Sequence, residues 1–184
     1  MKKTTLNILT RALAILSDNC LKVNVQKCIF FQNSITFLGY QISATGIRPP
    51  TDKVVVISKY PLPQSSSDLR RFMGMIHFFR QMIPHFSDIT YPVTELLRSS
   101  PASKQIIWTD SAIASLEKLK LELADCLTLS YPSPETNNYQ LVTDASGFAA
   151  GVALYQMIDG NPTRVGFYSK KISDAQKSHT TENC

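Results

Sequence analysis

The sequence predicts a mixed α+β chain in which short antiparallel hairpins come first, helices follow, and a three-stranded antiparallel meander comes last. Three observations carry that expectation. Alternating or continuous apolar runs fill much of residues 21–42, and Leu69, Phe72, Met73, Ile76 and Phe79 make a helical stripe in the middle of the chain. Near the end, Leu141-Val142 and Val152-Ala153-Leu154-Tyr155 flank a glycine turn at Gly147.

Taken in order, residues 5–16 place Leu6, Leu9, Leu13 and Leu16 at helical spacing, with Asp18-Asn19 as a stop. Strands are expected next. Leu21-Lys22-Val23-Asn24-Val25 alternates, Cys28-Ile29-Phe30-Phe31 is a short apolar run, Gln32-Asn33-Ser34 supplies a turn, and residues 35–42 form a second pairing strand. Ala44-Thr45-Gly46 ends this small sheet, and Arg48-Pro49-Pro50 marks a boundary, because two prolines extend neither a ladder nor a helix.

Thr51-Asp52 caps a helix reaching Ser58, which Tyr60-Pro61-Leu62-Pro63 terminates. The cluster Ser65-Ser66-Ser67-Asp68 caps the helix that bears the long stripe, and Pro84 is expected to end it. Arg70, Arg71, His77 and Arg80 lie largely off the stripe, facing either solvent or phosphate, and the aromatic Phe78, also off it, points toward a binding face. A short helix at 91–97 precedes a break at Ser99-Ser100-Pro101. Thr109-Asp110-Ser111 then caps a helix with Ile113, Leu116, Leu119, Leu123 and Leu127 on its core face. After the Asp144 hairpin and the turn Asp159-Gly160-Asn161-Pro162, residues 163–168 supply a third strand, and a further helix is expected around Ser178 to Glu182.

Composition narrows the function classes. With 184 residues and 43% apolar content the chain can build one large or two small cores, which argues against disorder. No apolar run reaches the length of about eighteen that a membrane helix needs, and Met1-Lys2-Lys3-Thr4-Thr5 opens no secretory signal, so an intracellular protein without a membrane partner is expected. Cys20, Cys28, Cys126 and Cys184 are scattered, with no histidine at ligand spacing, which suits buried free thiols better than zinc or disulfides. Residues 1–100 carry twelve Lys/Arg against five Asp/Glu, a net +7, and residues 101–184 carry seven against nine, a net −2. A basic first half suits a polyanion such as nucleic acid and an acidic second half suits a cation site, although solvated surface charge accounts equally for both.

One carboxylate stands out. Asp144 falls near the end of an apolar strand, just before a glycine turn, where a rigid sheet can present it to a metal or ligand. The local residues alone favour a simpler role, an Asx turn to the amide of Ser146 or Gly147. A single Asp is not a catalytic centre.

Several motifs occur in a telling order. They are Leu21-Lys22-Val23-Asn24 to Lys27-Cys28, Phe37-Leu38-Gly39-Tyr40, Gly46-Ile47-Arg48-Pro49, Asp68-Leu69-Arg70-Arg71-Phe72-Met73-Gly74 and Phe78-Phe79-Arg80-Gln81-Met82-Ile83-Pro84. Thr143-Asp144-Ala145-Ser146, Phe167-Tyr168-Ser169-Lys170-Lys171 and Thr180-Thr181-Glu182 continue the series. In this order and spacing the chain resembles the Pol polyprotein of gypsy-type long-terminal-repeat retrotransposons, an RNA-directed DNA polymerase with ribonuclease H activity.

The resemblance implies a fragment made of palm-end hairpins over residues 1–48, a helical thumb over 49–100 and the first part of a ribonuclease H-like domain over 101–184. Phe37, Leu38, Gly39 and Tyr40 match the primer grip, and Arg70, Arg71 and Arg80 lie on the helical region that follows a template–primer duplex or RNA–DNA hybrid. Glycine in a strand permits close backbone approach or marks a bulge, and Arg holds phosphates without reading sequence. Asp144 matches the first carboxylate of a nuclease site that works with two Mg²⁺ ions about 3.5–4 Å apart. The family's second carboxylate falls on Cys184, two residues past Glu182, and a two-residue step turns a helical side chain through about 200°, so Glu182 is no substitute. The polymerase motif Tyr-x-Asp-Asp is absent from the sequence. The resulting expectation is a chain that keeps nucleic-acid-binding elements, holds Mg²⁺ poorly, is inactive alone and works with the remainder of the polyprotein. The rival expectation is a non-catalytic nucleic-acid-binding or interaction module derived from such an element.

Overall fold

The computed structural model describes residues 2–99, 105–126 and 128–173. Leu127, Asp174, Cys184, the Ser100-Pro101 break and the helix expected around Ser178 to Glu182 lie outside them. The chain divides into two compact units, Met1–Asn33 and Ser34–Cys184, which are described in turn.

In the first unit, α1 (Lys2–Asp18) includes the predicted leucine spacing. The stripe does not build a core, since Leu6 and Leu13 are exposed and Leu9 and Leu16 only half-buried. The helix closes with Cys20 in the left-handed region (φ 58°), where the amides of Leu21 and Cys20 reach back to the carbonyls of Leu16 and Ser17, at 2.9 Å each. The strands expected at 21–25 and 28–31 are not present. The Asn24 side chain accepts from the Gln26 amide (3.1 Å) and starts a short 3-10 turn at Val25–Lys27, while Phe31 turns back with φ 56°. An alternating run becomes a strand only against a hydrogen-bonded neighbour, and no ladder partner for these residues is found among the described residues. Nor is every thiol buried: Cys20 is exposed, and Cys28 and Cys126 are intermediate.

The second unit opens with a three-stranded antiparallel sheet, β1 (Ser34–Phe37), β2 (Tyr40–Ser43) and β3 (Gly46–Arg48). The single strand expected over 35–42 is therefore two. The chain reverses at Leu38-Gly39, both with positive φ (47° and 81°), the two-residue hairpin geometry that matches strand twist. Glycine suits that backbone, whereas leucine conceals it from sequence reading.

Among the described residues four α-helices follow. They are α2 (Thr51–Ser58), α3 (Ser66–His77), α4 (Phe86–Ser99) and α5 (Asp110–Ala124). Ser65 caps α3 by accepting from the Asp68 amide at 3.1 Å, and Thr109 caps α5 by accepting from the Ala112 amide at 3.3 Å. α3 stops at His77, well before Pro84, because residues 80–82 tighten into a 3-10 turn. α4 is longer than expected and carries Pro92 inside it. The core joins Leu69, Phe72 and Ile76 of α3 and Val93 of α4 to Leu116, Leu119 and Leu123 of α5, all fully buried. Burying each such side chain is worth roughly 1.5–3 kcal/mol.

The last sheet is the predicted meander, β4 (Tyr139–Ala145), β5 (Ala149–Ile158) and β6 (Asn161–Lys171), with Asp144 opposite Gly151. Residue 129 returns to the first sheet, exchanging two hydrogen bonds with Ile47 (2.8 and 2.9 Å). A Cβ on Gly46 would lie 2.1 Å from the Leu129 carbonyl oxygen, so only glycine fits that crossing. Gln156, fully buried, anchors residues 133–136 by donating to the carbonyls of Ser133 (2.8 Å) and Thr136 (2.7 Å) and accepting from the Ser133 amide (2.7 Å).

Candidate nucleic-acid interface and nuclease carboxylate

The Leu38-Gly39 turn is a protruding tip with a firm base. Leu38 is 76% exposed and Phe37 also faces solvent. Beneath them the Tyr40 ring stacks on Phe78 (centroids 4.7 Å apart), and the Tyr40 hydroxyl donates to the Phe78 carbonyl (3.0 Å). Burial of that hydroxyl raises its pKa above 10.0. A Cβ on Gly39 would meet the Phe78 ring at 3.0 Å. Close approach and a left-handed turn thus coincide at one glycine, and the partner is an aromatic side chain just past α3. The bulge considered for Gly39 gives way to a tight hairpin turn.

Arg70 and Arg71 are exposed on α3, and Arg71 pairs with Asp68 at 3.4 Å. Arg80 is placed differently. Its guanidinium donates to the Ser169 carbonyl of β6, lies 5.5 Å from the centre of the Tyr168 ring and stands 3.3 Å from His77 Nε2. Partial burial first, and the Arg80 charge second, lower the pKa of His77.

Asp144 sits on β4 with a largely exposed carboxylate. His85 Nδ1 lies 3.8 Å from its Oδ2, and Pro84, His85, Val142, Gly151 and Arg164 line the same cleft. The turn that follows is closed by Ser146, whose hydroxyl accepts from the amides of Phe148 (3.2 Å) and Ala149 (3.1 Å) and donates to Asp88 of α4. The Asx-turn role considered for Asp144 therefore belongs to Ser146, leaving the aspartate free to face the cleft. Among the described residues no three His, Cys, Asp or Glu side chains converge as metal ligands. Mg²⁺ demands several hard oxygen donors, and a cleft holding one carboxylate beside a histidine and an arginine does not fit it as it stands. Sequence reading missed His85, Asp88 and the turn-closing role of Ser146; the contacts that bring His85 and Asp88 to this turn span 58 residues or more, and neither carries a local signal for them.

Residues 108–183 match the RNase H-like domain found in reverse transcriptase. Along its length the chain is homologous to retrotransposon Pol polyproteins. It is 34% identical, over 92% of its length, to the retrovirus-related Pol polyprotein from transposon opus of Drosophila melanogaster, and 29% identical, over 98%, to that from transposon 412. It is also 31% identical, over 88%, to the transposon Tf2-3 polyprotein of Schizosaccharomyces pombe. The chain spans only 18%, 14% and 12% of these three relatives. The fold is shared with foamy viral protease-reverse transcriptase, solved with double-stranded DNA and with an RNA/DNA hybrid, at a TM-score of 0.81 and 22% identity. Those matches cover 96% of this chain and 31% and 24% of the viral chains. No helix among the described residues is long and apolar enough to cross a membrane.

Proposed function

We propose that this chain is the duplex-handling segment of a retrotransposon polymerase and ribonuclease H. In this reading residues 1–48 are the end of the palm, 49–100 the thumb-like region and 101–184 the beginning of the ribonuclease H-like domain. Phe37, Leu38, Gly39 and Tyr40 bear on the primer end of a template–primer duplex or RNA–DNA hybrid, and Arg70 and Arg71 hold backbone phosphates. Arg80 contributes positive charge to the same surface while anchored to β6.

The observation that carries the reading is the tip itself. A leucine held at φ 47° at the exposed end of a hairpin is costly in backbone terms, and such outliers concentrate where a ligand is met. Support comes from the net +7 of residues 1–100 and from the nucleic-acid complexes of the foamy viral neighbours. Asp144 would serve as one ligand of a divalent metal, Mg²⁺, only with carboxylates beyond those described. The sequence holds no Tyr-x-Asp-Asp, so the chain by itself is expected neither to extend a primer nor to cleave a hybrid.

The test is binding of a labelled template–primer across a salt series. Arg70→Ala with Arg71→Ala should weaken affinity several-fold. The slope of log affinity against log salt should fall by about 0.9 for each phosphate no longer held, or by about 1.8 if each arginine holds one. Unchanged affinity would mean that these arginines face only solvent. Hybrid cleavage in Mg²⁺ that Asp144→Asn abolishes would overturn the view of Asp144 as part of an incomplete site.

A further inference from the structure

A second cationic surface continues from α3 across the seam to β6. Arg70, Met73 and His77 fall at i, i+3 and i+7 and so lie along one line of the helix. That line runs into a cleft bounded by Met73, His77, Arg80, Tyr168, Lys170 and Lys171. From Arg70 to His77 the helix rises about 10.5 Å, close to the axial rise of three phosphates on one strand at about 3.4 Å each.

The charges in the cleft differ in how far they are spent. Lys171 is neutralised, since its Nζ lies 2.5 Å from Glu95 Oε1 and also sits over the Tyr91 ring. Arg80 meets a carbonyl and an aromatic face rather than a carboxylate, and no ion pair is found for Arg80, Arg70 or Lys170 among the described residues. Lys170 and Tyr168 are exposed on β6. Unspent positive charge beside an exposed aromatic ring, continuous with an arginine-bearing helix face, is suited to a polyanion that is also rich in rings.

We propose that Lys170, with Tyr168 and Arg80, forms a second backbone-contact site, so that one strand of the duplex passes from Arg70 along α3 onto β6. This rests on the duplex-handling reading above. The phosphates are those of a nucleic-acid backbone rather than free phosphate. Lys170 takes a phosphate, Tyr168 packs against the sugar or an end base, and Arg80 holds the two halves of the surface in register while adding its charge.

The experiment is salt-dependent binding of a fluorescent RNA–DNA hybrid by the full chain, with acetylation footprinting of its lysines. Lys170→Gln should lower the salt slope by about 0.9 and weaken binding several-fold, and Lys170→Arg should restore both. Lys118→Gln, at an exposed position on α5, should change neither. The hybrid should protect Lys170 from acetylation and leave Lys118 reactive. An unchanged slope in Lys170→Gln, with Arg70→Ala and Arg71→Ala still effective, would overturn this site and leave the duplex-handling reading standing. No binding by the unaltered chain would overturn both. Protection of Lys170 by inorganic phosphate but not by the hybrid would also overturn it.

Discussion

Gly39 shows how one residue can serve two demands at once. Its φ of 81° is a conformation that costs an L-residue about 1–2 kcal/mol, and its missing Cβ leaves room for Phe78. Gly39→Ala is therefore expected to destabilise the second unit by about 1–2 kcal/mol or more in urea unfolding. Leu38→Asn should do the reverse, because asparagine accepts the left-handed region that leucine resists and Leu38 buries little. If Leu38→Asn gains stability but loses template–primer affinity, the strain is functional in origin. The family resemblance marks Gly39 and its neighbours as a candidate site, while the residue pattern reads them as one strand. A Leu-Gly pair lacks the Asn or Asp that announces a hairpin turn, and Phe78 lies 39 residues away.

Legibility of the secondary structure follows the range of the interactions that produce it. α3 and α5 are readable because capping and a repeating apolar stripe are local, and both helices begin at caps the sequence displays. The meander is readable for the same reason, through its glycine turns. β3 is not, since three residues pair with β2 and Leu129 only once the chain has folded back. The expected strands near 21–31 meet no pairing neighbour among the described residues. Between α4 and β6 the contacts are polar: Glu95 with Lys171, Ser169 with the Ser87 amide (2.8 Å), and, on the neighbouring turn, Asp88 with Ser146. The Lys171 hydrogen bond, chief among several causes, holds the Glu95 carboxyl below its usual 4.5. Its stabilising effect is thus fully present above pH 4.5 and is lost as pH falls through the lower folded value. Hydrogen exchange should show β6 amides near Ser169 loosening over that acid range. Glu95→Gln should flatten the dependence, and an identical profile in that variant would assign the loosening to other groups.

At the level of the molecule, the order of motifs reads further than any one of them. Phe37-Leu38-Gly39-Tyr40 alone is common currency among apolar strands, yet the ordered series points to Pol polyproteins, and homology along the chain agrees. Of the proposed nuclease site, only Asp144 is legible in the sequence. His85 and Asp88 reach the Asp144 turn through folding rather than spacing, so no sequence window contains the arrangement.

The hydrogen bonds between Ile47 and Leu129, and a core shared by α3, α4 and α5, have a consequence for how the chain can be divided. Two pieces, residues 34–99 and 105–173, would each expose half of one apolar interior and each lack its complement. Produced separately they are expected to be poorly structured; refolded together, they should recover helical circular dichroism and elute as one species. Independent folding of either piece would mean that the interior is not held in common. A nick between them would thus be tolerated as a break in covalent continuity without a break in the fold, and the two peptides would part only in denaturant.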